Sequence, residues 1–224
     1  MTVRATFEAA LQALQDDVLI LGDRVEKALL NSVDYLKVRD IAASRRLIAE
    51  DRDIDSLRYE IEAQALTLIA TQQPMAGDMR MIAAALIIAN ELERIGDYAK
   101  GISRVNKRIG EEPLMKPLID IPRMAQIAQD MIHQSLEAFV ERDLAKARAV
   151  IEMDDQVDAL YDQVYSELLT ILFGDVGKIK QANNLLMAAH LLERAADRAT
   201  NICERVIYCI TGELIDTGWE NDVA

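Results

Sequence analysis

Apolar residues recur at spacings of three and four along most of the chain, a pattern typical of amphipathic helices. Asp40 is placed to cap a second helix that extends to about Thr71. After a break at residues 72–77, a third helix is predicted from Asp78 to about Ile109. The stripe that predicts the first helix consists of Phe7, Leu11, Leu14, Val18, Leu21, Val25 and Ala28.

The second half of the chain repeats the pattern of the first. Residues 110–122 hold one Gly and three of the four Pro, which indicates a linker. Residues 40–61 align with 143–164 at seven identities in 22, and 91–102 align with 191–202 at six in 12. Matches in the same order indicate an internal duplication. Because helices joined by short turns pack antiparallel, we expect an all-α fold of two tandem three-helix bundles with six long helices.

The expected domains follow from the linker and from the end of the pattern. Residues 1–112 form the first expected bundle and residues 121–212 the second. Residues 213–224 are acidic and show no apolar period, so they are expected to form a frayed acidic tail.

Charge and composition exclude several classes of function. A net charge of −13, from 25 basic and 38 acidic residues, is unsuited to the phosphate backbone of nucleic acids or to an anionic membrane surface. The longest apolar run, residues 81–89, is far short of the ~20 residues that a membrane-spanning helix needs. Residues 1–10 show no signal pattern. We expect a cytoplasmic protein without membrane insertion. Cys203 and Cys209 match no metal or redox spacing and are expected to be buried.

Acids spaced four apart are prominent among the repeated identities. Such acids share one helix face and repel each other, so helix propensity gives no reason for them. Glu93 and Asp97 extend the small and apolar stripe of Ile82, Leu86 and Ala89 instead of standing opposite it. A half-buried carboxylate needs an Arg partner, a raised pKa or a cation. The four pairs are Asp51/Asp55, Glu93/Asp97, Asp154/Asp158 and Glu193/Asp197.

Two interpretations of these acids remain open from the residues alone. They form a solvated face paired with Arg94 and Arg194, as surface charges on helices commonly do. Alternatively, two helices of one bundle build an oxygen-rich cage suited to magnesium, manganese, calcium or iron. Asn201, four residues after Asp197, is placed to add an amide oxygen. His190 is a weaker candidate ligand near the same face, and His133 has no acid partner that the sequence identifies.

Short motifs around these acids resemble those of a known family. Residues 92–97 (LERIGD) and 192–197 (LERAAD) are similar to the doubled motif of the PhoU family of phosphate-signalling regulators. Residues 73–80 (QPMAGDMR) resemble the family's turn between its second and third helices, and residues 201–213 resemble its ending. The resemblance extends from about residue 7 to 213 and implies two three-helix bundles.

The resemblance also implies a function. Members of the family repress the phosphate-starvation response when phosphate is plentiful, by contacting a membrane histidine kinase and the phosphate ABC transporter. We therefore expect a homodimeric negative regulator of phosphate uptake. It would act as an adaptor between the transporter's ATPase and the cytoplasmic part of the kinase.

Some members of the family bind multinuclear metal clusters through the matching acids, with iron, zinc, manganese or magnesium as candidate ions here. The ligands implied for this chain are Asp51, Asp55, Glu93, Asp97, Asp154, Asp158, Glu193, Asp197 and Asn201. Departures weaken the first-half site, because Gly101 stands where the second half has Asn201. Tyr98 and Arg198 stand where many members carry His.

Candidate partner contacts lie away from the acid pairs. Arg45 and Arg148 are expected to be exposed, and the alternative is that both make ordinary surface ion pairs. Asp78 and Arg80 at the Pro74 turn are further candidates.

No enzyme is expected from the sequence. It lacks a P-loop, a G-x-G-x-x-G motif and the paired Glu-x-x-His of di-iron oxidases. Its two His are placed so that they allow no Ser/His/Asp set. The alternative function is metal storage, or a di-metal carboxylate protein without a signalling role.

Overall fold

The structure is a computed structural model that describes residues 3–213. It contains helices and no strand within that range, which confirms the all-α prediction. The helices are α1 (Val3–Val38), α2 (Ile41–Gln72), α3 (Ala76–Ile109), α4 (Asp120–Glu141), α5 (Leu144–Ile151), α6 (Asp154–Gly174) and α7 (Ile179–Thr211), with a 3₁₀ turn at Val176–Lys178 before α7.

Matching caps begin the second helix of each half. The side chain of Asp40 accepts a hydrogen bond from the backbone N–H of Ala43 at 2.8 Å. Asp143 accepts from the N–H groups of Ala145 and Lys146 at 2.9 and 3.0 Å. Each cap satisfies helix N–H groups that lack an intrahelical partner. The predicted cap at Asp40 is therefore present and Asp143 repeats it, whereas α3 begins at Ala76, two residues before the predicted Asp78.

The fifth predicted helix is present with a break near its start. Helix α5 ends at Ile151 and α6 begins at Asp154. Between them, the N–H of Met153 donates to the carbonyl of Val150 at 3.0 Å, a tighter turn than the α-helical one. The break makes Asp154 the first residue of α6, which the sequence pattern did not predict.

The two bundles pack side by side and share one core in the described part of the chain. Helix α3 packs on α7, and α1 packs on α4. Two glycines allow close approach of the bundles, since a Cβ atom at Gly22 would clash with Cδ1 of Leu136 and one at Gly101 would lie 2.8 Å from Cδ1 of Leu191. Because buried residues of both bundles form one continuous cluster, the boundaries at 112 and 121 stay predictions.

Several remaining expectations concern the ends and surfaces of the fold. Both cysteines are free and buried, as predicted, and burial raises the pKa of the Cys203 thiol to about 12. Within residues 3–213, no helix contains an apolar stretch of the length that crossing a membrane requires. Of the predicted acidic tail, only Glu213 belongs to the described residues.

Candidate functional site

The eight paired acids gather as two clusters, one in each bundle. The first acid cluster consists of Asp51 and Asp55 on α2 with Glu93 and Asp97 on α3. The second acid cluster consists of Asp154 and Asp158 on α6 with Glu193 and Asp197 on α7. Within each cluster, acids of one helix act electrostatically on acids of the other.

Lys100 lies inside the first acid cluster. Its ammonium forms an ion pair with Asp51, whose side chain is 5 % exposed, and lies 3.2 Å from Oδ1 of Asp97. Burial raises the pKa of Asp51, and the hydrogen bond from Lys100 opposes that rise. The same hydrogen bond is the main reason that the pKa of Lys100 is raised. The first cluster therefore contains its own cation.

Glu93 is the least compensated member of the first cluster. Burial raises its pKa, and the charges of Asp97 and Asp55 raise it further. Arg58 and Arg94 act in the opposite direction. The ion pairs that Asp51 and Asp97 form run to Lys100, not to Arg94 as the surface interpretation proposed.

The second acid cluster contains a buried oxygen without a partner. Oδ1 of Asp154 is buried and accepts no hydrogen bond. Burial, followed by the charges of Asp158, Asp197 and Glu193, raises the pKa of Asp154 to about 7. Nδ1 of His190 lies 3.1 Å from Oε2 of Glu193; burial raises the pKa of Glu193, and His190 acts in the opposite direction. The negative charges of the second cluster are therefore not neutralised by a lysine, as those of Asp51 and Asp97 are in the first.

The arginines beside the second cluster bind to the first bundle. Burial raises the pKa of Asp197, and Arg198 and Arg194 lower it through their charge. The guanidinium of Arg194 nevertheless stacks over the Tyr98 ring, 4.8 Å from its centroid. Arg198 donates to the Tyr98 hydroxyl and to Glu91, both at 3.2 Å. These arginines join α7 to α3 and form no ion pair with the acids of the second cluster.

Two departures from the family motif compensate each other. Tyr98 and Arg198, which stand where many members carry His, are hydrogen-bonded together across the bundle interface. Asn201 also points to that interface, since its amide nitrogen lies 3.4 Å from Oε2 of Glu91. That contact uses the amide nitrogen, whereas the predicted role of Asn201 in the second cluster requires its amide oxygen.

The two clusters differ in how they fit a metal ion. Among residues 3–213, no three His, Cys, Asp or Glu side chains converge in a geometry that holds a metal. The second cluster fits by its chemistry, because it offers carboxylate oxygens, among them the buried and unpartnered Oδ1 of Asp154. An ion there would require the side chains to turn toward a common point. The first cluster fits poorly, because the ammonium of Lys100 already binds Asp51 and Asp97.

The candidate partner residues fall into two groups. Arg45 and Arg148 are exposed, as predicted. Asp78 instead accepts a hydrogen bond from Arg4 at 2.8 Å, and Arg80 donates to the carbonyl of Cys209 at 3.2 Å. Asp78 and Arg80 thus join the start of α3 to α1 and α7.

The structure adds two residues to the sequence interpretation. His133, for which the sequence identified no acid partner, contacts Glu137 four residues along its own helix and also Glu26 on α1, which lies 3.3 Å from its Nδ1. That contact joins the two bundles, which no sequence spacing reveals. Lys100 was also missed, although its position three residues after Asp97 was a visible signal.

Fold and site together define a class of protein: a tandem pair of three-helix bundles with an acid cluster in each bundle. A family model for the PhoU domain matches twice, at residues 18–105 and 121–206. The chain belongs to the PhoU family, as its motifs indicated.

Relatives and solved structures agree over nearly the whole chain. A "phosphate-specific transport system accessory protein PhoU homolog" from Clostridium acetobutylicum is 38 % identical over 214 residues, covering 95 % of this chain and 98 % of that protein. The Aquifex aeolicus homolog is 36 % identical, with 92 % and 93 % covered. The crystal structure of PhoU from Pseudomonas aeruginosa superposes with a TM-score of 0.87 at 29 % identity, covering 92 % of this chain and 100 % of that one. The phosphate transport system regulatory protein PhoU from Streptococcus pneumoniae gives 0.87 at 28 %, with 94 % and 99 % covered.

Proposed function

We propose that this chain is a negative regulator of phosphate uptake and of the phosphate-starvation response. The observation behind the proposal is the family match in both halves, together with relatives that are named accessory proteins of the phosphate-specific transport system. In this role the protein works in the cytoplasm as a homodimer. It binds the ATPase of a phosphate ABC transporter and the cytoplasmic part of a sensor histidine kinase.

The surface of the molecule is consistent with an adaptor. Its long helices offer extended faces, and the net charge of −13 favours basic patches on partners. Such contacts weaken as salt screens the charges. Arg45 and Arg148 are exposed at matched positions near the start of the second helix in each half, so they are candidate contacts to acidic groups on a partner. Asp78 and Arg80 are weaker candidates, because they already bind within the chain.

The second acid cluster is the proposed metal site, with iron, zinc, manganese or magnesium as candidates. Asp154, Asp158, Glu193 and Asp197 would hold the ion. The carboxylates of this cluster repel one another. A bound cation would neutralise their charge. The protein contributes the buried Oδ1 of Asp154, which has no other partner.

A gene deletion tests the regulatory role. Cells without the gene, grown in phosphate-rich medium, should express a phosphate-scavenging reporter that wild-type cells repress. Complementation with the wild-type gene should restore repression, and the regulatory proposal fails if the deletion leaves the reporter silent. Tagged protein from phosphate-rich and phosphate-starved cells should co-purify with the transporter ATPase and the kinase.

Substitutions test the contact surface separately. The Arg148→Ala variant should fail to restore repression while keeping its fold and metal content. Lys107→Ala is the matched control, because it also removes one exposed positive charge. If Arg148→Ala restores repression fully, the adaptor stands and its contact surface lies elsewhere.

Metal storage without signalling is the second candidate function, because of the carboxylates that the fold leaves unpaired. A store takes up many ions per chain, whereas a regulatory site in one cluster takes up few. Elemental analysis of the purified protein, together with the reporter in the deleted strain, separates the two candidates. Many ions and an unchanged reporter would favour storage.

A further inference from the structure

We infer that Lys100 closes the first acid cluster to divalent cations, so that only the second cluster is available to a metal. The part of this inference that concerns the second cluster rests on the proposed function. For the first cluster, the inference contradicts the expectation that both halves bind metal. The observation behind it is the ammonium of Lys100, which binds Asp51 and lies 3.2 Å from Asp97 Oδ1.

The position of Lys100 holds an uncharged residue in the second half. In the alignment of residues 91–102 with 191–202, Lys100 is matched by Thr200. The hydroxyl of Thr200 donates to the backbone carbonyl of Asp197 at 2.7 Å, so it serves its own helix. The second cluster therefore has no ammonium at the position from which Lys100 reaches the first.

Electrostatics explains why the ammonium excludes a divalent ion. Both would compete for the same carboxylates, and at a few ångströms their like charges repel strongly in a half-buried site. For a metal to bind, Lys100 must leave Asp51, and the side chain of Lys100 is only 20 % exposed. Asp51 also loses the hydrogen bond that offsets its burial. The second cluster imposes neither cost, because Thr200 stands in place of the lysine and the buried Oδ1 of Asp154 has no partner.

Matched substitutions of one acid in each cluster provide the first test. Equilibrium dialysis with Mn²⁺ as the probe measures the ions bound per chain of metal-free protein. Asp197→Asn should weaken binding by about tenfold or more, and Asp97→Asn should leave it unchanged. Asp97 is half-exposed and its substitution should not disturb the fold. A loss of Mn²⁺ in Asp97→Asn would overturn the inference.

Replacing the lysine provides the second test. Lys100→Thr, made in the Asp197→Asn background, should gain a Mn²⁺ site in the first cluster, whereas Lys100→Arg should gain none because it retains the positive charge. If Lys100→Thr gains no Mn²⁺ while its circular dichroism stays helical, the inference is overturned. If that variant fails to fold, the comparison of Asp97→Asn with Asp197→Asn decides.

The two proposals fail in different ways. If the wild-type protein binds no Mn²⁺ but Lys100→Thr does, the first cluster is closed by its lysine and the metal proposal for the second cluster is wrong. If neither protein binds Mn²⁺, both proposals are overturned. Neither result alters the regulatory proposal, which the reporter strain tests without reference to metal.

Discussion

The two acid clusters share their acids and their place in the fold, yet their charge is balanced differently. In the first, the ammonium of Lys100 binds the buried Asp51. In the second, a buried oxygen of Asp154 has no partner, and the pKa of that carboxyl is raised to about 7. A duplicated scaffold can therefore repeat its acids while one helical position decides whether they are neutralised from within.

The packing beneath the clusters also differs between the bundles, and a size difference on one helix is balanced by the opposite difference on its neighbour. Gly96 of α3 faces Ile54 of α2, whereas the matched positions in the second half hold Ala196 and Val157. The larger residue on one helix is thus paired with the smaller on the other. Similar volumes are filled in both bundles, as close-packed interiors require.

The largest effect is expected from removing the internal cation. Lys100→Thr should destabilise the metal-free protein by about 2 kcal/mol, because it leaves the buried Asp51 carboxylate unpaired. The value is below that of a fully buried pair, since the side chain of Lys100 is 20 % exposed. Urea unfolding at pH 7 with chelator measures the change.

Thr200→Ala is the matched control for that substitution. It removes a hydroxyl that bonds only to its own helix, so it should cost less than about 1 kcal/mol. Equal losses in Lys100→Thr and Thr200→Ala would contradict the distinction between the clusters.

The second cluster should make stability depend on pH. The folded state holds a proton on Asp154 up to about pH 7, whereas the carboxyl's ordinary value is 3.8. This contribution is therefore fully present below pH 3.8 and is lost as pH rises through 7, so metal-free stability should fall between pH 4 and 8. The pKa values of Asp158, Glu193 and Asp197 are also raised, which acts in the same direction.

Thermal unfolding across that pH range measures the effect. Over this pH range, the free energy of unfolding of Asp154→Asn should fall by about 1–2 kcal/mol less than that of the wild type. This is the energy that corresponds to the raised pKa of Asp154, reduced because solvent partly screens the carboxyl. The control, Asp53→Asn, removes the same charge from an exposed position in the first bundle and should keep the wild-type profile. A profile for Asp154→Asn that parallels the wild type would contradict the raised pKa.

The smallest effect on stability is expected where Gly96 packs against Ile54. A Cβ atom at Gly96 would lie 3.1 Å from Cδ1 and 3.2 Å from Cγ2 of Ile54. Gly96→Ala alone should be near neutral, because its gain in helix propensity offsets this crowding. In the presence of Ile54→Val the same substitution should stabilise by about 0.5–1 kcal/mol, measured as a double-mutant cycle. An additive cycle would show that the two positions are not coupled.

The sequence predicted the parts of the fold that follow from local rules. Apolar spacing and the cap at Asp40 placed helices correctly, and the repeat predicted that the acids gather by bundle. The break before Asp154 was missed because no Pro or Gly stands at residues 152–153. Contacts between bundles, such as Glu26 with His133, depend on tertiary packing that no spacing encodes.

The role of Lys100 was only partly visible in the sequence. Its spacing from Asp97 indicated a helical ion pair, which is worth little on an exposed face. Lys100 contributes more than such a pair because its ammonium also binds Asp51 on the neighbouring helix. That contact depends on how closely α2 and α3 pack at Gly96.

An NMR titration of the Asp154 carboxyl carbon in metal-free protein tests most directly whether the second cluster lacks the cation that the first contains. The predicted midpoint is about 7 in the wild-type protein. In Thr200→Lys, which places an ammonium at the position matched to Lys100, the midpoint should fall well below that. A wild-type midpoint near the ordinary 3.8 would contradict the account, because Asp154 would then already be neutralised.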